Sequence, residues 1–151
     1  MDSIDIKLMH LLAEDADVTT SSLVSKLNLS IPAINKRIAK LKSEGYISRT
    51  TILTDTKKVG KPIVCFVLVA LEHFTLSEKL LEIVQSDQDI LECYATTGEY
   101  DYILKVCAKD IEDYEDKLLR LKEEGIAKSL TMFALREYKF SHTALPDPSE
   151  I

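Results

Sequence analysis

Apolar and polar positions follow a helical period up to residue 45 and a mixed strand and helix rhythm after it. Ile4, Leu8, Leu11 and Leu12 fall at i, i+4, i+7 and i+8, one buried face of a helix. Asp2 can cap that helix, with Asp5 three residues on in capping-box position. Thr19 or Thr20 can cap a second helix carrying Leu23, Val24 and Leu27. Asn28, which tolerates the left-handed conformation, ends it. Ser30 suits the N-cap of a third helix, Pro32 its first turn, and Gly45 its stop. Only Asn28-Leu29-Ser30 separates helices two and three, the short turn of a helix-turn-helix. Tyr46 to Leu53 is β-prone and predicts a strand or small wing. Asp55 to Pro62, with Gly60, reads as a linker.

Beyond the linker the elements alternate. Strands are predicted over Ile63–Leu71, Ile90–Thr97, Asp101–Cys107 and Ala127–Leu135. Helices are predicted over Thr75–Gln85, with Thr75 and Glu78 as a capping box, and over Asp110–Glu124. Ile111, Tyr114, Leu118 and Leu121 form the apolar face of the second of these. The order β-α-β-β-α-β is that of a ferredoxin-like module. The fold class expected is therefore α+β. A winged helix-turn-helix domain with linker (1–60) precedes a ferredoxin-like domain (61–140) and a tail (141–151) with Pro146 and Pro148, either an ordered turn or a frayed end. The nine-residue apolar run Ile63–Leu71 does not alternate, which suits a strand covered on both faces. Two helices can cover only one face of a four-stranded sheet. A second copy of the sheet is the economical cover for the other, so a homo-oligomer is expected.

Charge changes this picture. The 151 residues carry 19 Lys and Arg against 25 Asp and Glu, net -6, and an acidic total argues against nucleic acid. The charge is uneven, however. Residues 1–60 are net +2, residues 61–151 net -8, and the segment 30–60 alone is net +5. On the third helix, Ile31, Ile34, Ile38 and Leu41 share one face as core anchors. Pro32, Ala33, Lys36 and Lys40 lie opposite, flanked by Asn35 and Arg37. A buried stripe opposed to a cationic one is what a helix lying in a DNA groove requires. Lys36, Arg37 and Lys40 can neutralise phosphates or reach guanine, Asn35 can read adenine, and Ser30 with nearby backbone N–H groups can hold a phosphate. A dimer would present two such helices to a near-palindromic operator on double-stranded DNA.

Other chemistry is poorly supplied. Cys65, Cys93 and Cys107 form no C-x-x-C and lie in apolar runs, as buried free thiols do. His10, His73 and His142 have no metal-ligand spacing, and no phosphate loop or nucleophile elbow is present. No catalytic residue, metal or cofactor is expected. No apolar run approaches the roughly 18 residues of a membrane span, so no membrane partner is expected, and a secretory pattern is missing, so a cytoplasmic protein is.

The chain resembles the Lrp/AsnC (feast/famine) family of transcriptional regulators over nearly its whole length. Met1-Asp2-Ser3-Ile4-Asp5 is similar to the family's L-D-x-x-D start, and Leu29 to Leu41 to its L-S-x-x-x-V-x-x-R-I-x-x-L segment. Glu44-Gly45-Tyr46-Ile47 resembles its E-G-x-I exit, and Gly98-Glu99-Tyr100-Asp101-Tyr102 its G-x-x-D-Y signature. The resemblance implies a regulator of amino-acid or related metabolism, dimeric through its C-terminal (RAM-type) sheets and often octameric. It also implies a small effector, commonly an amino acid, bound between dimers. Carried over, it makes Thr97, Gly98, Glu99, Tyr100 and Asp101 the effector loop, with Thr131 facing the site from a neighbour. Gly98 would let backbone N–H groups approach a carboxylate, and Asp101 could accept from an ammonium. A plain hairpin with Asp101 satisfying local N–H groups is the alternative. Two departures stand out: Asp17 replaces a frequent Arg and Asn28 a frequent Gly. The sirohaem decarboxylases share this architecture, so an enzyme of that kind is one alternative function. A DNA-free amino-acid sensor that pairs with a DNA-binding paralogue is another.

Overall fold

A computed structural model describes residues 1–147; Pro148 and the rest of the expected tail lie outside the described residues. Two compact units form. One is Met1–Ile52 with the described residues from Lys139 on; the other is Leu53–Tyr138. The divisions thus fall at 52/53 and 138/139 rather than at 60 and 140.

The helical unit holds α1 (Ser3–Glu14), α2 (Thr20–Leu27) and α3 (Ile31–Ser43). Each start is capped by a side chain. Asp2 and Asp5 form a reciprocal capping box, Thr19 accepts from Ser22 N–H, and Ser30 accepts from Ala33 N–H. Asn28 ends α2 at φ 56°, the left-handed conformation that turns the chain into α3 within three residues. Leu8, Met9, Leu23, Leu27, Ile34 and Leu41 make the core, with Ile38 and Ile47 packed beside it. Ile31, expected among the anchors, is instead 44 % exposed. It is the first helical residue, one turn before Ile34, and projects past the packed part of α3.

The tail returns to this unit. Leu145 packs on the helical core, and His10 Nε2 donates to the Pro146 carbonyl at 3.1 Å. The strand expected over Tyr46–Leu53 does not form. Ile47 is anchored, its N–H donating to Leu41 O at 3.1 Å, but Ile52 and Leu53 are exposed. β-prone residues need a neighbouring strand to pair with, and among the described residues none lies beside this segment.

The sheet unit holds β1 (Ile63–Leu71), a 3-10 turn (Phe74–Leu76), α4 (Ser77–Ser86), β2 (Ile90–Ala95), β3 (Tyr102–Ala108), α5 (Ile111–Glu123) and β4 (Ile126–Phe133). Strand order is β2-β3-β1-β4 with every neighbour antiparallel, the ferredoxin-like arrangement. Cys65, Val67, Val69, Leu104, Val106 and Ala108 face Leu80, Tyr114 and Leu121 across the core. The Thr75–Glu78 capping box is absent. The 3-10 turn takes up Thr75, α4 starts two residues later, and the Ser77 hydroxyl is buried without a hydrogen-bond partner among the described residues. Ile111 is exposed for the same reason as Ile31: it is the first residue of its helix.

Burial along β1 alternates although its letters do not. Cys65, Val67 and Val69 are fully buried, while Phe66 and Leu68 on the other face are only half-covered. Register places Leu130, Met132 and Ile103 beside them. Leu130 and Met132 are 45 % and 46 % exposed, so the β1–β4 part of this face is apolar and open, while on its β3 side Lys105, opposite Phe66, pairs with Glu92.

A charged cluster closes the other side of the sheet unit. Lys117 of α5, 8 % exposed, lies 3.1 Å from Asp89 and also bonds Asp113, while Lys61 bonds Asp89. Burial alone would raise the Asp89 carboxyl, but the hydrogen bonds from Lys61 and Lys117 hold it below the usual carboxylate range. Burial raises all three thiols, with Cys65 pushed up to about 11, which leaves them as poor nucleophiles.

Candidate nucleic-acid and ligand sites

Helix α3 separates its two faces as the sequence pattern predicts. Ile34 and Leu41 are fully buried; Asn35, Lys36 and Lys40 are exposed, as is Pro32, with Ala33 half-exposed. Thr20 Oγ1 of α2 donates to Asn35 Oδ1 at 3.4 Å, a long bond that leaves the Asn35 amide N–H groups available. Among the described residues Lys40 has a loose ion-pair partner, Glu44 at 3.9 Å, and such an exposed pair is worth little. Ser30 caps the helix with its hydroxyl, Ala33 N to Ser30 Oγ being 3.4 Å.

Arg37 departs from the expected set. Its Nη1 donates to both Asp2 oxygens at 2.9 and 2.8 Å and to Asp5 Oδ1 at 2.6 Å. The Asp5 side chain is 1 % exposed. Arg37 thus turns toward the start of α1, and two carboxylates balance its charge. Hydrogen bonds to Asp2 and then Asp5 hold the guanidinium charged, and Arg37 in turn lowers the Asp2 carboxyl. Asp2 and Asp5 were legible as caps. Their second role was not, because the partners lie 35 and 32 residues apart.

At the β2–β3 hairpin, Thr97, Gly98 and Glu99 are exposed and Tyr100 is half-buried. Gly98 sits at φ 109°, which requires glycine. The Asp101 carboxylate accepts from Leu71 N–H at 2.8 Å, Asp101 N–H donates to Val69 O at 2.9 Å, and Thr96 Oγ1 donates to Tyr100 O at 2.7 Å. Asp101 therefore pins the hairpin to β1 with one oxygen. Lys128 of β4, which the sequence reading missed, bonds the Glu99 carboxylate and lies 5.1 Å from the centre of the Tyr100 ring. Its only signal is strand register, since Lys128 pairs with Ala70 one residue before Leu71. Thr131 is not brought to the hairpin. It sits three register positions from Lys128, opposite Val67, and its hydroxyl bonds Tyr114 of α5. A cavity of about 30 Å³ lined by Val67, Ile83, Tyr114 and Lys117 lies between sheet and helices; it has room for one water, not for an amino acid.

Two family models match the chain: a winged helix-turn-helix DNA-binding domain over residues 1–48 and an Lrp/AsnC ligand-binding domain over residues 64–144. The glutamate uptake regulatory protein of Zymomonas mobilis is 31 % identical over 98 % of this chain and 92 % of its own. The DNA-binding transcriptional activator DecR of Escherichia coli is 29 % identical over 97 % and 98 %. Among solved structures, an AsnC family regulator from Agrobacterium tumefaciens superposes with TM-score 0.87 at 27 % identity, covering 95 % of this chain and 96 % of that one. LrpC of B. subtilis does so with TM-score 0.85 at 28 % identity, covering 92 % and 97 %. Fold and site together define a DNA-binding transcriptional regulator with a small-molecule-binding module. The chain belongs to the Lrp/AsnC family. Its relatives are named as regulators of transcription, and no helix among the described residues is long and apolar enough to cross a membrane.

Proposed function

We propose that this protein acts in the cytoplasm as a homo-oligomer that binds a near-palindromic duplex through α3 and responds to an amino acid held at the β2–β3 hairpin. The observation that carries the DNA reading is the opposition of buried Ile34 and Leu41 to exposed Asn35, Lys36 and Lys40 on one helix. Pro32 and Ala33 leave the outward start of α3 free of bulk, so its backbone can approach a phosphate beside Ser30. Arg37 is left out of the contact set because its charge is balanced within the unit.

The effector reading rests on the hairpin, where Gly98, Asp101, Tyr100 and Lys128 gather backbone, acid, ring and cation at one exposed edge. The name of the Zymomonas mobilis relative ties that protein to uptake of an amino acid, which supports the same ligand class and a role in amino-acid metabolism here. Thr131 has no part in this site within one chain. Assembly rests on the open apolar face of Phe66, Leu68, Leu130 and Met132, whose burial against a second sheet would remove its exposed area from water.

The test is salt-dependent binding to a duplex the protein itself enriches from a random pool. Each phosphate contact adds about 0.9 to the magnitude of the log–log salt slope, so Lys36→Ala with Lys40→Ala should lower it by close to 2. An unchanged slope and affinity would remove α3 as the DNA-contacting helix.

A further inference from the structure

Arg37 is the cation of α3 that does not point outward. At about 100° per residue it lies roughly 60° from Ile34 and 40° from Leu41, whereas Lys36 lies roughly 160° from Ile34. Its guanidinium reaches Asp5, which is shut off from solvent, and Asp2, which is not. Both carboxylates already hold the first turn of α1: Asp5 N–H donates to Asp2 at 2.9 Å and Asp2 N–H to Asp5 at 3.1 Å. One planar group therefore ties the recognition helix to a rigid, doubly capped helix start, beside the apolar contacts of Ile34 and Leu41. Apolar packing tolerates small rotations of a helix about its axis; charged hydrogen bonds at 2.6–2.9 Å do not. A rotation of α3 would swing Asn35, Lys36 and Lys40 away from their groove positions together.

We propose that Arg37 is a positioning residue for DNA recognition, fixing the rotation of α3 through Asp5 and Asp2 rather than contacting phosphate. The inference rests on α3 being the DNA-contacting helix. The experiment uses the full chain and two labelled duplexes of equal length, one carrying a sequence the wild-type protein enriches from a random pool and one of random sequence. Lys36→Gln, Arg37→Gln, Arg37→Lys and Asp5→Asn are compared below their melting temperatures.

Lys36→Gln should lower the salt slope by about 0.9. Arg37→Gln should leave the slope at the wild-type value and reduce the ratio of specific to random binding by about tenfold, on the scale of one mismatched base pair. Asp5→Asn should reduce the ratio likewise, although it frees the arginine. If Arg37→Gln does not fold, Arg37→Lys, which keeps a positive charge but lacks the guanidinium Nη1 that holds all three oxygens, and Asp5→Asn give the answer.

A slope reduced by Arg37→Gln as much as by Lys36→Gln makes Arg37 a phosphate ligand and overturns the proposal. So does a wild-type ratio in folded Arg37→Lys and Asp5→Asn, which would leave the link with a purely structural role. If Lys36→Gln changes nothing while the arginine and aspartate variants lose the ratio, Lys36 is wrongly assigned and Arg37 stands. A wild-type protein that enriches no sequence defeats the DNA reading and this inference together.

Discussion

Lys117 and Asp89 join α5 to the loop before β2 at 3.1 Å, with the lysine almost wholly buried. Each has a second partner, Asp113 for the lysine and Lys61 for the aspartate, so no charge in the group is left alone. Removing the central cation takes the ion-pair partner from Asp113 and leaves Asp89 with Lys61 alone. Lys117→Met should lower stability by about 2 kcal/mol, seen as a lower urea midpoint at unchanged m-value.

The same cluster predicts a pH dependence. The hydrogen bond from Lys117 lowers Asp113, and those from Lys61 and Lys117 outweigh burial in lowering Asp89. A depressed carboxyl contributes stability above its unfolded pKa and loses it as pH falls through the folded one. The stability gap between wild type and Lys117→Met should be level near neutrality and shrink below about pH 4. A gap that stays constant to pH 2 would place the effect in packing alone.

Gly125 ends α5 at φ 91°, and a Cβ there would meet the Leu76 side chain. Gly125→Ala combines left-handed strain with that contact and should cost about 1–2 kcal/mol, lowering the melting temperature. Gly45→Ala, at φ 79° with nothing within 4 Å, isolates the backbone part.

Asp101 holds Leu71 N–H, so Asp101→Ala should cost about 1 kcal/mol with no ligand present. Its effect on a ligand must be read as the change in melting temperature that each amino acid of a panel adds to each variant. The expected result is a shift in wild type that vanishes in Asp101→Ala. A retained shift would put the ligand elsewhere.

The open sheet face gives a mass prediction. Leu130→Asp with Met132→Asp should convert the wild-type oligomer to a smaller species by light scattering at micromolar concentration. A monomeric wild type would end the shared-sheet reading.

Much of this was legible in the letters because local rules decided it. The Asp2–Asp5 box, the Asn28 turn, the Ser30 cap and the strand and helix order all depend on residues within four positions of one another. One local reading failed, the Thr75–Glu78 box, because a 3-10 turn takes up Thr75; the other differences arose where a distant partner decides. Ile31 and Ile111 keep the apolar period but stand at helix starts that the described residues leave about half exposed. Tyr46–Leu53 has strand composition without a neighbouring strand. Arg37 reads as one more cation of α3 until its partners from α1 are in place, although its angular position beside Ile34 and Leu41 was already in the sequence. Thr131 was expected to face the site from a neighbour; within one chain, register turns it to the helix side and Tyr114.

Leu145, supplied by the far end of the chain, packs on the helical core with His10 bonded to Pro146 beside it. Leu145→Asp should therefore destabilise the helical unit, as a lower melting transition there, and leave the sheet unit unchanged.

That packing has a consequence for synthesis. The ribosome makes α1, α2 and α3 first, then every strand of the sheet, and only afterwards Leu145. The unit begun first is thus completed last, and a nascent chain stalled before residue 139 carries its helical head without the Leu145 that packs on that core.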